Sequence, residues 1–484
     1  MVYHPHIWKK WKLTKGCLPR TKNLYSILTY LRIKIFMEKG EVLKLIGKWN
    51  ETESLLTQTI TESIKLRDPK LTADCKIQLG EILWSRSVYE RAFELSKDAY
   101  STYKKIHDRM GMAKSLRVMG YVYYFKGKYS KAMDSFLKQK QIAEQLGNEK
   151  EIGRALDDMG GIYWDQGNFT QSLECHKKFL NIAKEIEDKG SILIALRSLG
   201  NIYYSMGKVE EALKFYQRLL KGSQELGDKF NISFAYLTIG AVYLNSGNYG
   251  MANTFLQKVI QISLEMGNQH GLLYAKNYLG TLNRLQGKYK KSYQFFSQAL
   301  KIAKTLDNKR GLSVITGNMG ALYKKMGKYK KSESLLKESI QLAKKIQLMD
   351  GLCRNLIYLS DLFLSRQRYR EAKLKIGEAL RIAEELNRKD LIFRCAVLDA
   401  KLTSVKEEEK AIKILKNLLK EKSKTENRAI LHYELYKTTG KETHRKKSLA
   451  LFKELYKKTP QIEYKERIEE LNQKKKNEEE VKNR

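Results

Sequence analysis

The chain has 484 residues, 42% of them hydrophobic, which is ample for a buried core, and only four prolines: Pro5, Pro19, Pro69 and Pro460. The 390 residues between Pro69 and Pro460 contain none, where an ordinary frequency of about 5% would supply many, so all-β and collagen-like classes are excluded and continuous helix is favoured. The net charge of +38, from 69 Lys and 23 Arg against 54 acidic residues, favours acidic partners, nucleic acid or an anionic surface without naming one, and is also an ordinary device for solubility.

In chain order, residues 1–20 come first, a basic stretch carrying Trp8 and Trp11 that matches no later segment and reads as an unassigned arm. The apolar stretch Leu24 to Met37 is broken by Arg32 and Lys34 and is too short to span a bilayer. No signal-peptide pattern precedes it. Five cysteines (Cys17, Cys75, Cys175, Cys353, Cys395) lie far apart with no Cys-x-x-Cys, which fits a reducing compartment, so a cytoplasmic protein is expected.

From there a ruler governs the chain. Glycine falls at Gly40, Gly80, Gly120, Gly160, Gly200, Gly240, Gly280 and Gly320, always 40 residues apart. A second glycine follows seven residues later in most units (Gly47, Gly127, Gly167, Gly207, Gly247, Gly287, Gly327), with a small residue such as Ala132, Ser172 or Ala212 five positions further on. Asp or Asn recurs at Asp68, Asp108, Asn148, Asp188, Asp228, Asn268 and Asn308. Each mark has a cause on a helix hairpin. The acid or amide caps the start of helix A; the first glycine, inside helix A, costs about 1 kcal/mol in propensity and is useful where helix B packs close; the second ends helix A in a left-handed turn. One helix–turn–helix unit is therefore repeated about nine times.

The pattern Met119-Gly120 through Tyr123, Gly127, Tyr129 and Ala132 resembles the tetratricopeptide repeat, in a 40-residue form similar to that of Pins-type spindle-orientation adaptors and of bacterial signalling proteins. The resemblance covers about residues 29 to 400. It implies an all-α, right-handed α-solenoid of antiparallel hairpins used as an interaction scaffold.

The repeats are expected over 21–403. Past them the ruler fails: Ser360 and Ala400 replace the first glycine and Gly440 comes early, so 404–460 read as degenerate hairpins. Residues 461–476 carry Tyr464, Ile468 and Leu471 on one face, as a capping helix does where a stack ends in water, and 477–484 read as a disordered tail.

No catalytic constellation emerges. The Gly-x6-Gly-Lys turns have the wrong spacing for a phosphate loop and no following Ser or Thr. The histidines form no His-Glu-x-x-His, His4 and His6 lack a third ligand, and Asp157-Asp158 are helix neighbours that diverge. No enzyme activity, cofactor or metal is expected.

The resemblance places helix A on the concave face. Counting the first glycine as position 8, positions 2, 5, 9 and 12 share one stripe facing the groove. Position 12 reads Lys44, Trp84, Tyr124, Trp164, Tyr204, Leu244, Arg284, Lys324, an aromatic ladder giving way to basic residues. The net charge follows suit, −1 over 151–250 and +13 over 251–350. Buried aromatics supply binding energy and complementary charge fixes orientation, although packing and a solvated polar face are the plain alternatives for any one residue. The candidate peptide- or protein-binding residues are therefore Trp84, Arg117, Tyr121, Tyr124, Arg154, Asp157, Trp164, Arg197, Asn201, Tyr204, Asn277, Arg284, Asn318, Lys324 and Lys325, for a partner with an acidic segment. The asparagines and arginines are similar to those by which Pins-type adaptors grip extended peptides. The alternative is nucleic-acid binding along the lysine-rich turns at 287–291 and 327–331.

Overall fold

A computed structural model describes residues 24–45, 48–85, 88–126, 128–306, 308–421 and 424–482. The arm expected at 1–20 lies outside them, as do Gly47 and Gly127. The described residues form 23 helices and no strand, an α-solenoid of successive hairpins. After a first helix A, Leu24–Leu45, helix A of repeats 2 to 10 starts at Pro69, Arg109, Glu149, Lys189, Lys229, Gln269, Lys309, Met349 and Lys389. Helix B of repeats 2 to 9 starts at Tyr89, Tyr129, Phe169, Val209, Tyr249, Tyr289, Tyr329 and Tyr369. The chain falls into two compact units, the first closing at Val118 and the second beginning at Met119.

Local chemistry sets these boundaries. The capping side chain accepts a backbone N–H three residues on: Asp68 from Leu71 at 3.0 Å, Asn148 from Glu151 at 3.0 Å, Asn308 from Gly311 at 2.7 Å. At the other end of helix A, Gly207 takes φ 75° and its N–H returns to the Tyr204 carbonyl at 3.0 Å.

In half of the repeats the in-helix glycine makes room for a ring. A Cβ on Gly120 would lie 2.5 Å from Phe136, on Gly160 2.6 Å from His176, on Gly200 2.5 Å from Tyr216 and on Gly280 2.6 Å from Phe296. Each of these side chains comes from helix B of the same repeat, sixteen residues on. The small residue of helix B brings the backbones together as well. Ser172, Ser292 and Ser332 donate to the carbonyls of Gly160, Gly280 and Gly320 at 2.8, 2.8 and 2.7 Å. At Gly40, Gly80, Gly240 and Gly320 the neighbour is aliphatic instead, Leu56 at 3.3 Å, Val118 at 3.3 Å, Leu256 at 3.3 Å and Leu336 at 2.7 Å from the Cβ position.

In the first unit the core joins Ala73, Ile77, Ala99, Tyr103 and Val118. In the second, a core cluster forms between each hairpin and the next, the largest around Leu356, Leu359 and Ile376 of repeat 9. The chain ends in Thr425–Thr439, Glu442–Lys458 and Ile462–Lys482, where Tyr464 and Leu471 are buried against Tyr436 and Phe452 and Ile468 packs beside them. The backbone of that last helix continues through the positions expected as tail up to Lys482.

The second unit also folds back on itself, which the repeat pattern does not announce. Thr459 fills the space over Gly247, whose Cβ would sit 2.2 Å away, and Ile462 lies against Gly287 at 3.0 Å from the same point. Lys325 pairs with Glu466 at 3.2 Å. Three successive helix A ends are thus covered by one stretch entering the last helix.

Candidate ligand-binding face

Helix A residues of consecutive repeats meet at a step of 41. Tyr124 donates to Asp165 at 2.6 Å, Ser198 to Asp157 at 3.0 Å, Trp164 Nε1 to the Ser205 hydroxyl at 2.9 Å and Asn318 to Asn277 at 2.9 Å, while the Asn245 amide bonds the Tyr204 hydroxyl. The step follows from the geometry: one repeat is 40 residues, and the next helix A presents the neighbouring position of its stripe. The result in the second unit is a continuous wall of linked polar and aromatic groups.

The expected residues take different parts in it. In the first unit, Trp84 packs on the Ala73–Ile77 cluster, and Arg117 stands 3.8 Å from Glu81. In the second, Tyr121 bonds Asp158, and Arg154 donates to Glu151 at 2.6 Å. Asn201 accepts the Tyr216 hydroxyl at 3.0 Å, and Arg197 lies over the Phe234 ring at 5.4 Å. Asp157 Oδ1 also faces His176 Nδ1 at 2.9 Å. Burial pushes the Asp157 carboxyl up, but His176, Arg197 and Ser198 outweigh it and hold it below the usual range.

The aromatic half and the basic half are joined by the fold itself. Arg310 reaches from the start of repeat 8 to Asp165 at 3.3 Å and lies 5.4 Å from the Trp164 ring. Trp164, expected as an exposed anchor, is therefore half-buried under an arginine of its own chain. Lys324 is taken up by Asp361, through its carboxylate and through its carbonyl at 3.0 Å, and Lys325 by Glu466. Arg284 is not: among the described residues it forms no ion pair, and its buried Nε has no hydrogen-bond partner.

Further groups on this wall escaped the sequence reading. Arg354 and Arg394 occupy position 2 and Asp361 position 9 of the stripe counted from Ser360 and Ala400, so extending the rule past the last in-phase glycine finds them. Arg354 Nε donates to Asp350 at 2.8 Å; Arg388 shares that carboxylate and pairs with Asp390 at 2.9 Å. Tyr358 and Arg310 lie off the stripe, and no spacing signals them.

Among the described residues no group of three or more His, Cys, Asp or Glu side chains could hold a metal ion, and no helix is long and apolar enough to cross a membrane. The Asp157–His176 contact lacks the nucleophile that general-base work needs, because His176 Nε2 points at Gly160, 2.6 Å from where a Cβ would stand.

The tetratricopeptide-repeat family profile matches residues 151–225, 191–265 and 271–345. Residues 151–345 are thus tetratricopeptide repeats, and the helix hairpins described on either side keep the same 40-residue period. A Rap protein solved in complex with competence and sporulation factor is similar over 74% of this chain and 99% of its own, at 16% identity and a TM-score of 0.58, and shares the fold. The apo quorum sensor NprR from B. thuringiensis (15% identity, 71% and 98% covered, TM-score 0.48) and aspartyl phosphate phosphatase F from Bacillus subtilis (13%, 76% and 96%, 0.48) are more distant. No curated protein matches the sequence.

Proposed function

We propose that the chain is a non-enzymatic interaction scaffold that binds a peptide or protein segment along the helix A wall. The observation that carries this reading is the ladder of 41-residue contacts, which sets polar and aromatic groups of successive repeats in one partly buried line. An extended segment offers backbone donors and acceptors at regular intervals, and a wall of that kind presents amides, hydroxyls and rings to meet them. That the Rap protein of the same fold was solved holding competence and sporulation factor supports a ligand-binding use. A regulatory role in a bacterial signalling system, in the cytoplasm, is the setting in which we place it.

A second reading has its own observation. Lys290, Lys291, Lys328, Lys330 and Lys331 are exposed at adjacent hairpin turns and form no ion pair among the described residues, a ridge suited to phosphate. The two readings separate by experiment. Selecting binders to the full chain from a displayed random-peptide library, and titrating the same protein with single- and double-stranded oligonucleotides, should give peptides whose affinity changes little with salt. Tight oligonucleotide binding with a steep salt slope, and no selected peptide, would reverse the assignment.

A further inference from the structure

The first helix, Leu24–Leu45, carries an apolar line that the fold leaves uncovered: Leu24, Leu28, Leu31, Ile35 and Val42 are 71, 56, 36, 64 and 56% exposed. The same places are interior elsewhere. The counterparts of Ile35 at 40-residue steps, from Cys75 to Cys395, are all buried, and so are those of Val42 from Ile82 to Leu362. In later repeats the preceding helix B covers that face of helix A, as Tyr103 covers Gly111, the counterpart of Leu31. Ahead of Leu24–Leu45 the described residues hold no such helix. The other end of the chain is finished differently. There Ile462–Lys482 buries Tyr464 and Leu471 and exposes Lys465, Glu466 and Glu469, the polar face that a stack ending in water needs. The exposed line also lies off positions 2, 5, 9 and 12, so it is not part of the helix A wall.

Its spacing and its flanks say what fits it. Steps of four and three residues, repeating every seven, make a coiled-coil seam with Leu28, Ile35 and Val42 at a positions and Leu24 and Leu31 at d; Glu38 holds the next d. The repeat itself does not ask for this, since Cys75, Ser115, Ala155 and Ala195 stand where Ile35 does. Arg32, Lys34 and Lys39 occupy flanking positions. Arg32 pairs with Glu62 at 3.0 Å and Lys34 stands 3.9 Å from Asp74, while Glu38 and Lys39 form no ion pair among the described residues. These charges reject two occupants. A second copy running parallel would bring Lys34 beside the other Lys39 and the two Glu38 together; running antiparallel, it would set Arg32 against Arg32 and Lys34 against Lys34. Residues 1–23 hold six basic and no acidic side chains, and in the register of a preceding helix B they put Gly16 in the slot that Leu56 and Phe136 fill, with Pro19 close behind.

We propose that this line is the docking surface for an amphipathic helix of another protein, laid on Leu24–Leu45 in the place of a preceding helix B. Its apolar seam meets Leu28, Leu31, Ile35 and Val42, acidic residues face Arg32, Lys34 and Lys39, and a basic residue faces Glu38. The surface is independent of the peptide-binding wall, and either can fail without the other.

The test selects displayed three-heptad helices on the full chain. Their a and d positions are fixed as Val and Leu, except that the e and g positions and the one facing Glu38 are drawn from Glu, Lys and Gln. Selected helices should carry Glu at e and g. Ile35→Ser should weaken them about tenfold or more, as loss of a buried aliphatic side chain does, whereas Leu264→Ser, at an equally exposed leucine of repeat 6, changes nothing. Lys39→Glu should weaken them too and be rescued by a helix with Lys at the facing position, a response that unspecific attraction to a basic protein would not give. Melting temperature and sedimentation of Ile35→Ser should match the parent, because Ile35 faces water in the free chain. Helices selected without an acidic bias, or bound equally by Ile35→Ser, overturn the proposal. A parent dimer that Ile35→Ser dissolves gives the face to a second copy, and a lowered melting temperature gives it to a segment of the chain itself; either result overturns the proposal as well.

Discussion

Arg310 and Asp165 stand 145 residues apart in sequence and 3.3 Å apart in space, with the Trp164 indole 5.4 Å from the same guanidinium. The pair links repeat 4 to repeat 8, so the second unit is held by contacts between distant repeats as well as between neighbours. Arg310 is 43% exposed, and solvent screens the charge, so Arg310→Ala should cost only about 1 kcal/mol. Its signature is local: amide hydrogen exchange should quicken at the end of helix A in repeat 4 and the start of repeat 8 together. Unchanged exchange at both would show that the link contributes nothing.

The in-helix glycines should differ in their sensitivity. Gly200→Ala drives a Cβ into the Tyr216 ring and should destabilise by about 1 to 3 kcal/mol. Gly240→Ala meets Leu256 at 3.3 Å and the Phe255 Cβ at 3.4 Å, contacts relieved by shifts of a few tenths of an ångström, and the helix-propensity gain of about 1 kcal/mol should offset them. Urea unfolding of the two variants checks this, and equal losses would contradict the ring-packing account.

Two turn glycines with nearly the same backbone isolate the docking of the C-terminal segment. Gly207 (φ 75°) has nothing within 4 Å of a Cβ, whereas Gly247 (φ 79°) would strike Thr459. Both alanine variants bear the left-handed strain of about 1 to 2 kcal/mol. Gly247→Ala alone should also release the segment from Lys458 onward, read as faster exchange in 459–471. If Gly207→Ala releases it equally, the contact is not what holds it.

These comparisons mark how much the sequence discloses. The 40-residue ruler, the Asp/Asn caps and the left-handed glycines are local chemistry, and a single repeat displays them. The stripe logic also finds half of the wall, including Asp157, Asn277 and Arg284. It fails where a contact skips repeats: nothing near Trp164 foretells Arg310, and nothing near Gly247 foretells Thr459, because the coiling of an array sums small rotations that no one repeat encodes. Arg354 and Arg394 were legible by position and hidden only by the loss of the glycine that marks the register.

A histidine pair near the C-terminus sets a pH dependence. His432 is buried, its Nδ1 2.9 Å from that of His444, and burial first and the neighbouring positive groups next bring it down to about 4. The sign follows: the unfolded chain takes up the proton near 6.5 while the folded one refuses it until about 4, so stability is complete above 6.5 and drains away as pH falls through that interval. The loss should reach roughly 2 to 3 kcal/mol, measured as unfolding midpoint against pH. His432→Leu should flatten that slope; an unaltered slope would contradict the assignment.

The helix A wall as a peptide-binding surface is the central claim, and comparative affinity tests it most directly. Peptides selected on the full chain are titrated against two variant sets, Trp164→Ala with Asn201→Ala, and Lys290, Lys291, Lys330 and Lys331 all reversed to Glu. The account predicts that the wall variants weaken binding by about 1 to 3 kcal/mol, mostly through faster dissociation, and that the lysine reversals alter it by little beyond the salt-sensitive association rate. Full affinity in the wall variants, with binding abolished by the lysine reversals, would contradict it.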